Sequence, residues 1–330
     1  MNMGRNFCVL FATKNHYSMF ENYIYKYSIA DFNEVMVINV DIDSTEEENV
    51  IGKNICEKFG IHNINSKKFI SNQSSLFAAD EYLTKNKIDL DWILFFQHDV
   101  VPIQENFWDK VDKFIVDHPF IKNQVGMFGA NSYQNYNQAL ITSKDENLIN
   151  RRKNNTKSAR GNLVKGILNK PYKGWYTNLP DNYYKEEYFI VESPNWQCVA
   201  FNRKLLKKHI LQDEIFRQDL WPDDIAHQFM LKGYYHLALT DLLVSHDHTL
   251  KEGINLKIDQ GFLRNKNSHI RFKEKYGWHW GYRNKLLRFQ FYLKLNSWFE
   301  DTSIYNDSIQ KKLFDININN GPIASFKYII

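Results

Sequence analysis

A short apolar run that stops at a polar triplet constrains this chain more than any other feature of its sequence. Trp92–Phe96 (WILFF) has the length and composition of a fully buried strand, and Gln97, His98 and Asp99 follow it directly. A run without alternating polar residues is typical of a parallel sheet that is covered on both faces. Ligands of such sheets bind at the carboxyl ends of the strands. The sequence therefore predicts a binding crevice beside Asp99.

Upstream of this run, predicted strands alternate with predicted helices. The helix that follows the second strand begins with three glutamates, which suit the positive end of a helix dipole, and it ends at Gly60. The alternation predicts an α/β fold, with a mostly parallel sheet flanked by helices. The predicted strands are residues 7–12 and 34–40, and the predicted helices are residues 17–29, 45–59 and 74–87.

Two further acidic residues, Asp41 and Asp43, follow the second predicted strand. In a parallel sheet, this strand end opens on the same crevice as Asp99. Asp and Ser directly after a strand are also common turn and helix-capping residues, so each acid has a purely structural alternative. The interpretation as a binding site depends on the convergence of both strand ends.

The second half of the chain carries an acidic pair and a histidine-containing turn. Asp223 and Asp224 follow Pro222 at the start of an amphipathic stretch, and an apolar strand then leads into SHDH at residues 245–248. A carboxylate at a helix start serves either as a general base or simply as a complement to the helix dipole. The histidines either hold a metal or belong to a solvated turn.

In this order, the motifs over residues 5–250 resemble a nucleotide-sugar glycosyltransferase of the GT-A (Rossmann-like) fold, and they are similar to the large family 2 group. In that group, an acidic turn after an early strand holds the nucleobase and ribose. A DxD-type motif after a later strand binds a divalent metal on the donor pyrophosphate. Asp41 and Asp43 match the turn, and Asp99 matches the last residue of the DxD motif. Gln97 departs from the pattern, because the family usually has Asp at that position.

The resemblance implies a divalent cation, Mn²⁺ or Mg²⁺, with Asp99 as its carboxylate ligand. His246, or with less weight His248, adds an imidazole, which Mn²⁺ accepts more readily than Mg²⁺. His98 is not expected to bind the metal, because alternation points it away from Asp99. The implied donor-binding residues are Thr13, Asp41, Asp43, Gln97, His98, Asp99 and Trp196.

The resemblance also implies the reaction and its partners. Asp223 or Asp224 is expected to accept the proton of the acceptor hydroxyl, with inversion of configuration, because no covalent nucleophile is evident. The partners are a nucleotide-sugar donor and a glycan or lipid-linked glycan acceptor, as in surface polysaccharide or glycoconjugate synthesis. Trp196 and Trp221 either stack on a sugar ring or fill the core. The alternatives are a non-catalytic carbohydrate-binding protein and a nucleotidyltransferase. A glycine-rich phosphate loop, which would favour a nucleotidyltransferase, is not found near the first predicted strand.

Charge patterning predicts two further segments. Residues 148–180 contain eight Lys and Arg but no Asp or Glu. This predicts a mobile basic loop that closes over the pyrophosphate, grips an anionic acceptor, contacts anionic lipid or is simply a solvated insertion. The glycosyltransferase domain is expected at residues 1–255 and a helical extension at 256–330. The aromatic and basic residues 278–299 of this extension either lie in an anionic membrane interface or pack against the glycosyltransferase domain.

Composition limits which partners and which cellular location we expect for the protein. The chain of 330 residues is 43% hydrophobic, which is enough for a substantial core, and its net charge of +4 does not require nucleic acid. It has no apolar run of membrane-spanning length and no signal peptide, so we expect a cytoplasmic protein, with peripheral attachment to the inner face of the cell membrane as an alternative. Three distant cysteines predict reduced, buried thiols.

Overall fold

The computed structural model describes residues 4–65, 71–134, 164–167, 176–177, 187–216, 220–246 and 266–276. Its strands are β1 (Phe7–Thr13), β2 (Val37–Asp41), β3 (His62–Asn65), β4 (Trp92–Phe96), β5 (Val100–Pro102), β6 (Val125–Gln134), β7 (Val164–Ile167), β8 (Tyr176–Thr177), β9 (Tyr188–Ser193), β10 (Cys198–Asn202) and β11 (Tyr235–His246). Its α-helices are α1 (Tyr17–Glu21), α2 (Glu46–Lys58), α3 (Asn72–Lys85), α4 (Phe107–Asp117), α5 (Ile121–Gln124), α6 (Arg203–His209), α7 (Trp221–Leu231) and α8 (Lys266–Tyr276).

The strands of the described ranges form one sheet in the order β3-β2-β1-β4-β10-β6-β11-β9-β7-β8, with β5 paired to β11. β1 is parallel to β2 and β4, β2 is parallel to β3, and β6 is parallel to β11. β10 runs antiparallel to both β4 and β6, so β1 to β4, β6 and β11 all point the same way. The predicted α/β fold with a mostly parallel sheet is confirmed. The reversed β10 at its centre was not predicted.

An aromatic cluster anchors the end of β4 to helix α4. The ring of Trp108 on α4 lies 6.0 Å from the ring of Phe96 and 5.0 Å from that of Phe32. Its indole N–H donates to the backbone oxygen of Asp31 at 2.8 Å, which satisfies the polar atom of a fully buried side chain. Burial of one such aromatic side chain contributes roughly 1.5–3 kcal/mol. The residues that follow Phe96 therefore leave the sheet from a fixed point.

Two elements of the structure differ from the prediction. Strand β3 was not predicted; its partner among the described strands is β2, so it lies at a sheet edge, and its sequence HNIN carries little hydrophobic pattern. The helix predicted at residues 17–29 is the short α1, continued by a π-helical turn at Asn22–Tyr27. Both differences arise where tertiary contacts, rather than local periodicity, set the backbone.

The described parts of the basic segment and of the C-terminal extension lie in regular structure. Strands β7 and β8 belong to residues 148–180 and extend the sheet beyond β9, so part of the predicted loop is a hairpin. Helix α8 belongs to the extension, and its Phe272 and Ser268 are fully buried. The remaining basic residues and the predicted membrane-binding stretch 278–299 lie outside the described residues. Within the described ranges, no helix combines the length and apolarity needed to cross a bilayer.

All three cysteines are free and buried, as the sequence predicts. Burial raises the pKa of the Cys8 and Cys56 thiols to about 12 and that of the Cys198 thiol well above its usual value. A buried thiol with a raised pKa is a poor nucleophile and a poor metal ligand. The cysteines are therefore core residues.

Candidate active site

The candidate site residues converge at one edge of the sheet. Thr13 and Asp41 are register partners at the ends of β1 and β2, and Phe96 ends β4 beside them. Because β10 is antiparallel to β4, its first residue Cys198 pairs with Phe96, and the loop before β10 enters at this same edge. The structure thus brings together the two strand ends that the sequence analysis places on one crevice.

A buried polar network holds the first acidic turn. Asp41 is 1% exposed and accepts hydrogen bonds from the Tyr17 hydroxyl at 2.7 Å and from the Ser44 backbone N–H at 2.9 Å. Asn39 donates to the Tyr17 oxygen at 3.0 Å, and Thr13 donates to Asn39 at 2.8 Å. Burial and the neighbouring Asp41 raise the pKa of Tyr17, so this hydroxyl stays a donor. Asp41 and Thr13 are therefore structural residues that stabilise the turn after β2.

Asp43 is the exposed carboxylate of this turn. Its backbone is left-handed, with φ of 58°, which is an uncommon conformation that Asp tolerates better than most residues. Asp43 and Ser44 border a cavity of about 750 Å³ between α2 and β3. Its wall also carries the polar side chains of Asn49, Lys53, Asn63 and Asn65.

The polar triplet after β4 forms a tight turn. The backbone N–H of Gln97 donates to the backbone oxygen of Gln197 at 3.0 Å. The backbone N–H of Val100 donates to the backbone oxygen of Gln97 at 3.1 Å. Asp99 is only 4% exposed. The side-chain oxygen Oε1 of Gln97 is buried and accepts no hydrogen bond within the described ranges. A buried acceptor without a donor is unfavourable, which points to a group that is supplied from outside the chain.

The strand register brings the backbone of His246 next to Asp99. β5 pairs antiparallel with β11, and His246 is the partner of Val100, the residue directly after Asp99. The predicted metal residues therefore share one end of this strand pair. His248, the alternative ligand, lies outside the described residues. His98 lies in the turn after β4, directly before Asp99, and is half-buried.

The loop before β10 is held by side-chain contacts to Gln197. The Asn195 amide donates to the Gln197 side-chain oxygen at 3.0 Å, and the Ser132 hydroxyl donates to the same oxygen. Trp196 lies between these two loop residues and is half-buried. It remains a candidate platform at the crevice.

Trp221, in contrast, is a core residue. Its fully buried ring lies 4.9 Å from the ring of Phe95 and 5.7 Å from that of Phe201. This corrects the alternative that it stacks on a sugar ring. Because Phe95 is the penultimate residue of β4, the contact also locates the first turn of α7, with Asp223 and Asp224, near the end of β4.

Both members of the acidic pair are buried. Asp223 is 3% exposed, whereas Asp224 is completely buried. Four side-chain donors surround the Asp224 carboxylate. Burial raises its pKa, and the charge of Lys275 is the main opposing effect. The donors to Asp224 are Lys275 Nζ at 2.8 Å, Tyr276 Oη at 2.5 Å, Gln228 Nε2 at 2.9 Å and Gln73 Nε2 at 3.1 Å.

Several of these supporting residues escaped the sequence analysis. Tyr17, Gln73 and Gln197 are ordinary helix or loop residues in the sequence, and their roles arise from contacts with distant segments. Lys275 and Tyr276 belong to the predicted extension at residues 256–330 but precede its aromatic and basic stretch 278–299. No local pattern identifies them.

Comparison with known proteins identifies the fold. No family model matches the chain, and no curated protein matches it. It is similar to the structure of GalNAc-T7 with UDP, GalNAc and Mn²⁺, at a TM-score of 0.54 and 11% identity, over 96% of this chain and 54% of that one. It is also similar to the mannosyltransferase PcManGT from Pyrobaculum calidifontis in complex with GDP-Man and Mn²⁺, at a TM-score of 0.42 and 14% identity, over 73% of this chain and 56% of that one.

The likeness to the GalNAc-T7 structure shows the class of fold. The chain has the GT-A fold of glycosyltransferases, as the ordered motifs of its sequence predict. It spans little more than half the length of the proteins that it matches.

Proposed function

We propose that the protein is a metal-dependent glycosyltransferase that moves a sugar from a nucleotide-sugar donor to a hydroxyl of a glycan or lipid-linked glycan. The observation that carries this proposal is the turn after β4. There, the buried Asp99 comes two residues after Gln97, whose buried side-chain oxygen accepts no hydrogen bond from the described residues, at the ligand-binding edge of a GT-A sheet.

The residues of the turn fit a hard divalent cation. Asp99 offers the oxygen ligand that Mn²⁺ and Mg²⁺ prefer, and the backbone of His246 pairs with Val100, the residue directly after Asp99. Among the described residues, no three His, Cys, Asp or Glu side chains converge on one point, and such cations commonly complete their shell with substrate phosphates and water. When bound, the cation would stabilise the negative charge that develops on the departing diphosphate.

We assign the donor nucleoside to the acidic turn after β2. Asp43 is the exposed acceptor there, and Asp41, Thr13 and Tyr17 fix the backbone that presents it. The unpartnered Gln97 oxygen accepts a hydroxyl of the donor in place of the Asp of the family pattern. Trp196 packs against an apolar face of the donor.

Asp223 is the proposed general base. It lies in the first turn of α7, beside the end of β4, and can accept a proton from the acceptor hydroxyl as that oxygen attacks the anomeric carbon. Attack from the face opposite the diphosphate inverts the configuration. Asp224 is less suited to this step, because Lys275, Tyr276 and two glutamines already donate to its oxygens.

A thermal-shift screen of nucleotide sugars, with and without Mn²⁺, tests the function. We expect one nucleotide sugar to raise the melting temperature only when Mn²⁺ is present, because ligands that bind the native state stabilise it. Release of the nucleoside diphosphate from that donor would then separate a transferase from a carbohydrate-binding protein. Release of pyrophosphate from a nucleoside triphosphate would instead indicate a nucleotidyltransferase. Absence of any Mn²⁺-dependent shift would contradict the proposal.

Gln97→Met should have opposite effects on stability and on donor binding. Methionine keeps the length of the side chain but removes the buried unpartnered oxygen, whose presence costs about 1–3 kcal/mol in the free protein. The melting temperature should therefore stay level or rise. Donor affinity, measured by calorimetry, should fall by about tenfold, because the donor loses its acceptor.

Gln73→Met is the matched control for stability. Both ends of the Gln73 amide are bonded, to Asp224 at 3.1 Å and to the Asp213 N–H at 2.8 Å, so this variant should melt at a lower temperature. If Gln97→Met also destabilises the protein and leaves donor affinity unchanged, Gln97 has a structural role only.

A further inference from the structure

Helix α8 is hydrogen-bonded to the first turn of α7 at Asp224. The Lys275 ammonium donates to the Asp224 oxygen Oδ1 at 2.8 Å, and the Tyr276 hydroxyl donates to the same oxygen at 2.5 Å. Tyr276 also donates to the backbone oxygen of Asp224 at 3.3 Å. Side chain and backbone of one residue are thus held together by two consecutive residues of α8.

A second acid completes the attachment of α8. Arg271 forms an ion pair with Asp213 at 2.8 Å, and the backbone N–H of Asp213 donates to the Gln73 oxygen at 2.8 Å. The other end of the Gln73 amide donates to Asp224. Helix α8, the loop before α7 and helix α3 are therefore joined in one network around Asp224.

Aromatic packing accompanies these polar contacts. The ring of Tyr276 lies 4.2 Å from that of His227 on α7, and Phe272 lies 6.2 Å from Phe216 in the preceding loop. Phe272 is completely buried. Removal of α8 would expose this apolar surface as well as the Asp224 carboxylate, so the helix is an integral part of this region.

The turn that α8 holds begins in an uncommon conformation. Leu220, the residue before α7, has a φ of 60°, and this left-handed conformation is unfavourable for a bulky side chain such as leucine. The Asp224 N–H donates to the Leu220 oxygen at 2.8 Å and closes the first turn over it. A strained start of this kind persists only when surrounding contacts fix it, and Lys275 and Tyr276 supply such contacts.

We propose that Lys275 and Tyr276 are positioning residues for the transfer reaction. They hold Asp224, and through it the first turn of α7, in the geometry that directs Asp223 toward the acceptor hydroxyl. This role rests on the proposed function, in which Asp223 is the general base. Neither residue touches the reacting atoms.

The test compares variants on α8 that differ in whether they contact Asp224. Lys275→Met keeps the aliphatic stem but removes the ammonium, and Tyr276→Phe keeps the ring on His227 but removes the hydroxyl. Each should lower kcat by about tenfold and leave the donor KM near wild type, because a bond to a charged group in this network is lost. Amide hydrogen exchange of residues 221–228 should become faster in both variants.

Glu274→Gln is the matched control, because Glu274 lies on the same helix with its side chain 63% exposed, and its ion pair is with Arg271 at 3.9 Å rather than with Asp213 or Asp224. It should change kcat by less than about twofold and leave the hydrogen exchange of residues 221–228 near wild type. Lys275→Arg restores a cation at Asp224, so it should recover much of the kcat that Lys275→Met loses.

Three results would overturn the proposal. The first is unchanged hydrogen exchange of residues 221–228 in both Lys275→Met and Tyr276→Phe. The second is faster exchange together with an unaltered kcat, and the third is an equal loss of kcat in Glu274→Gln. Because the exchange measurement needs no substrate, it decides whether α8 holds α7 even if the wild-type protein transfers no sugar, a result that would count against the proposed function instead.

Discussion

Asp99→Asn is expected to reduce the rate of sugar transfer by about a thousandfold, because a metal ion contributes several kcal/mol to the stabilisation of a departing diphosphate. Asparagine matches the shape of Asp99 but lacks the charge that attracts a hard cation. The Mn²⁺ concentration that supports donor binding should rise in parallel. Calorimetric titration of Mn²⁺ with the donor present, followed by assays at saturating metal, measures both effects.

Asp109→Asn serves as the control for Asp99→Asn. Asp109 lies on α4 with its side chain 72% exposed, and its ion pair with Arg5 is far from the carboxyl edge of the sheet. This variant should keep wild-type transfer and metal dependence. A normal Mn²⁺ requirement in Asp99→Asn would show that the metal ligand lies elsewhere.

Asp223→Asn should lower kcat by about 10²–10⁴-fold, which is the range typical of general-base catalysis. Donor affinity should stay near the wild-type value, because the base contacts the acceptor rather than the nucleotide. Single-turnover assays with saturating donor and acceptor separate the chemical step from binding.

Asp224→Asn provides the contrast within the acidic pair. This variant loses the charge that pairs with Lys275 and should lower the free energy of unfolding by roughly 1.5–3 kcal/mol. Donor binding should again persist. If Asp223→Asn turns over normally while Asp224→Asn folds stably but is inactive, Asp224 is the base and the assignment of Asp223 is wrong.

The sequence predicts the parts of this molecule that follow from local pattern. The run WILFF is apolar throughout because both faces of β4 are covered, and that pattern also locates Asp99 at its carboxyl end. Helix α2, with its acidic first turn and Thr45 cap, begins within one residue of the prediction. In both cases the pattern that predicts the element lies within the element itself or directly beside it.

Features that depend on distant segments could not be predicted in this way. The reversed direction of β10 is set by its two neighbours, and nothing in CVAFN distinguishes a parallel from an antiparallel strand. Trp221 lies in the core because Phe95 and Phe201 meet it from two other strands. The network around Asp224 depends on α8, whose Lys275 is 51 residues from Asp224 in sequence.

The place of β10 in the sheet also bears on how the chain folds. β4 lies between β1 and β10, and its second edge is paired only by residues that are synthesised about a hundred positions later, so these contacts have a high sequence separation. Until then, a nascent chain exposes WILFF along one unpaired edge, and such edges promote aggregation. The strand that delivers Asp99 to the candidate site is thus an aggregation-prone segment of the nascent chain until β10 has been synthesised.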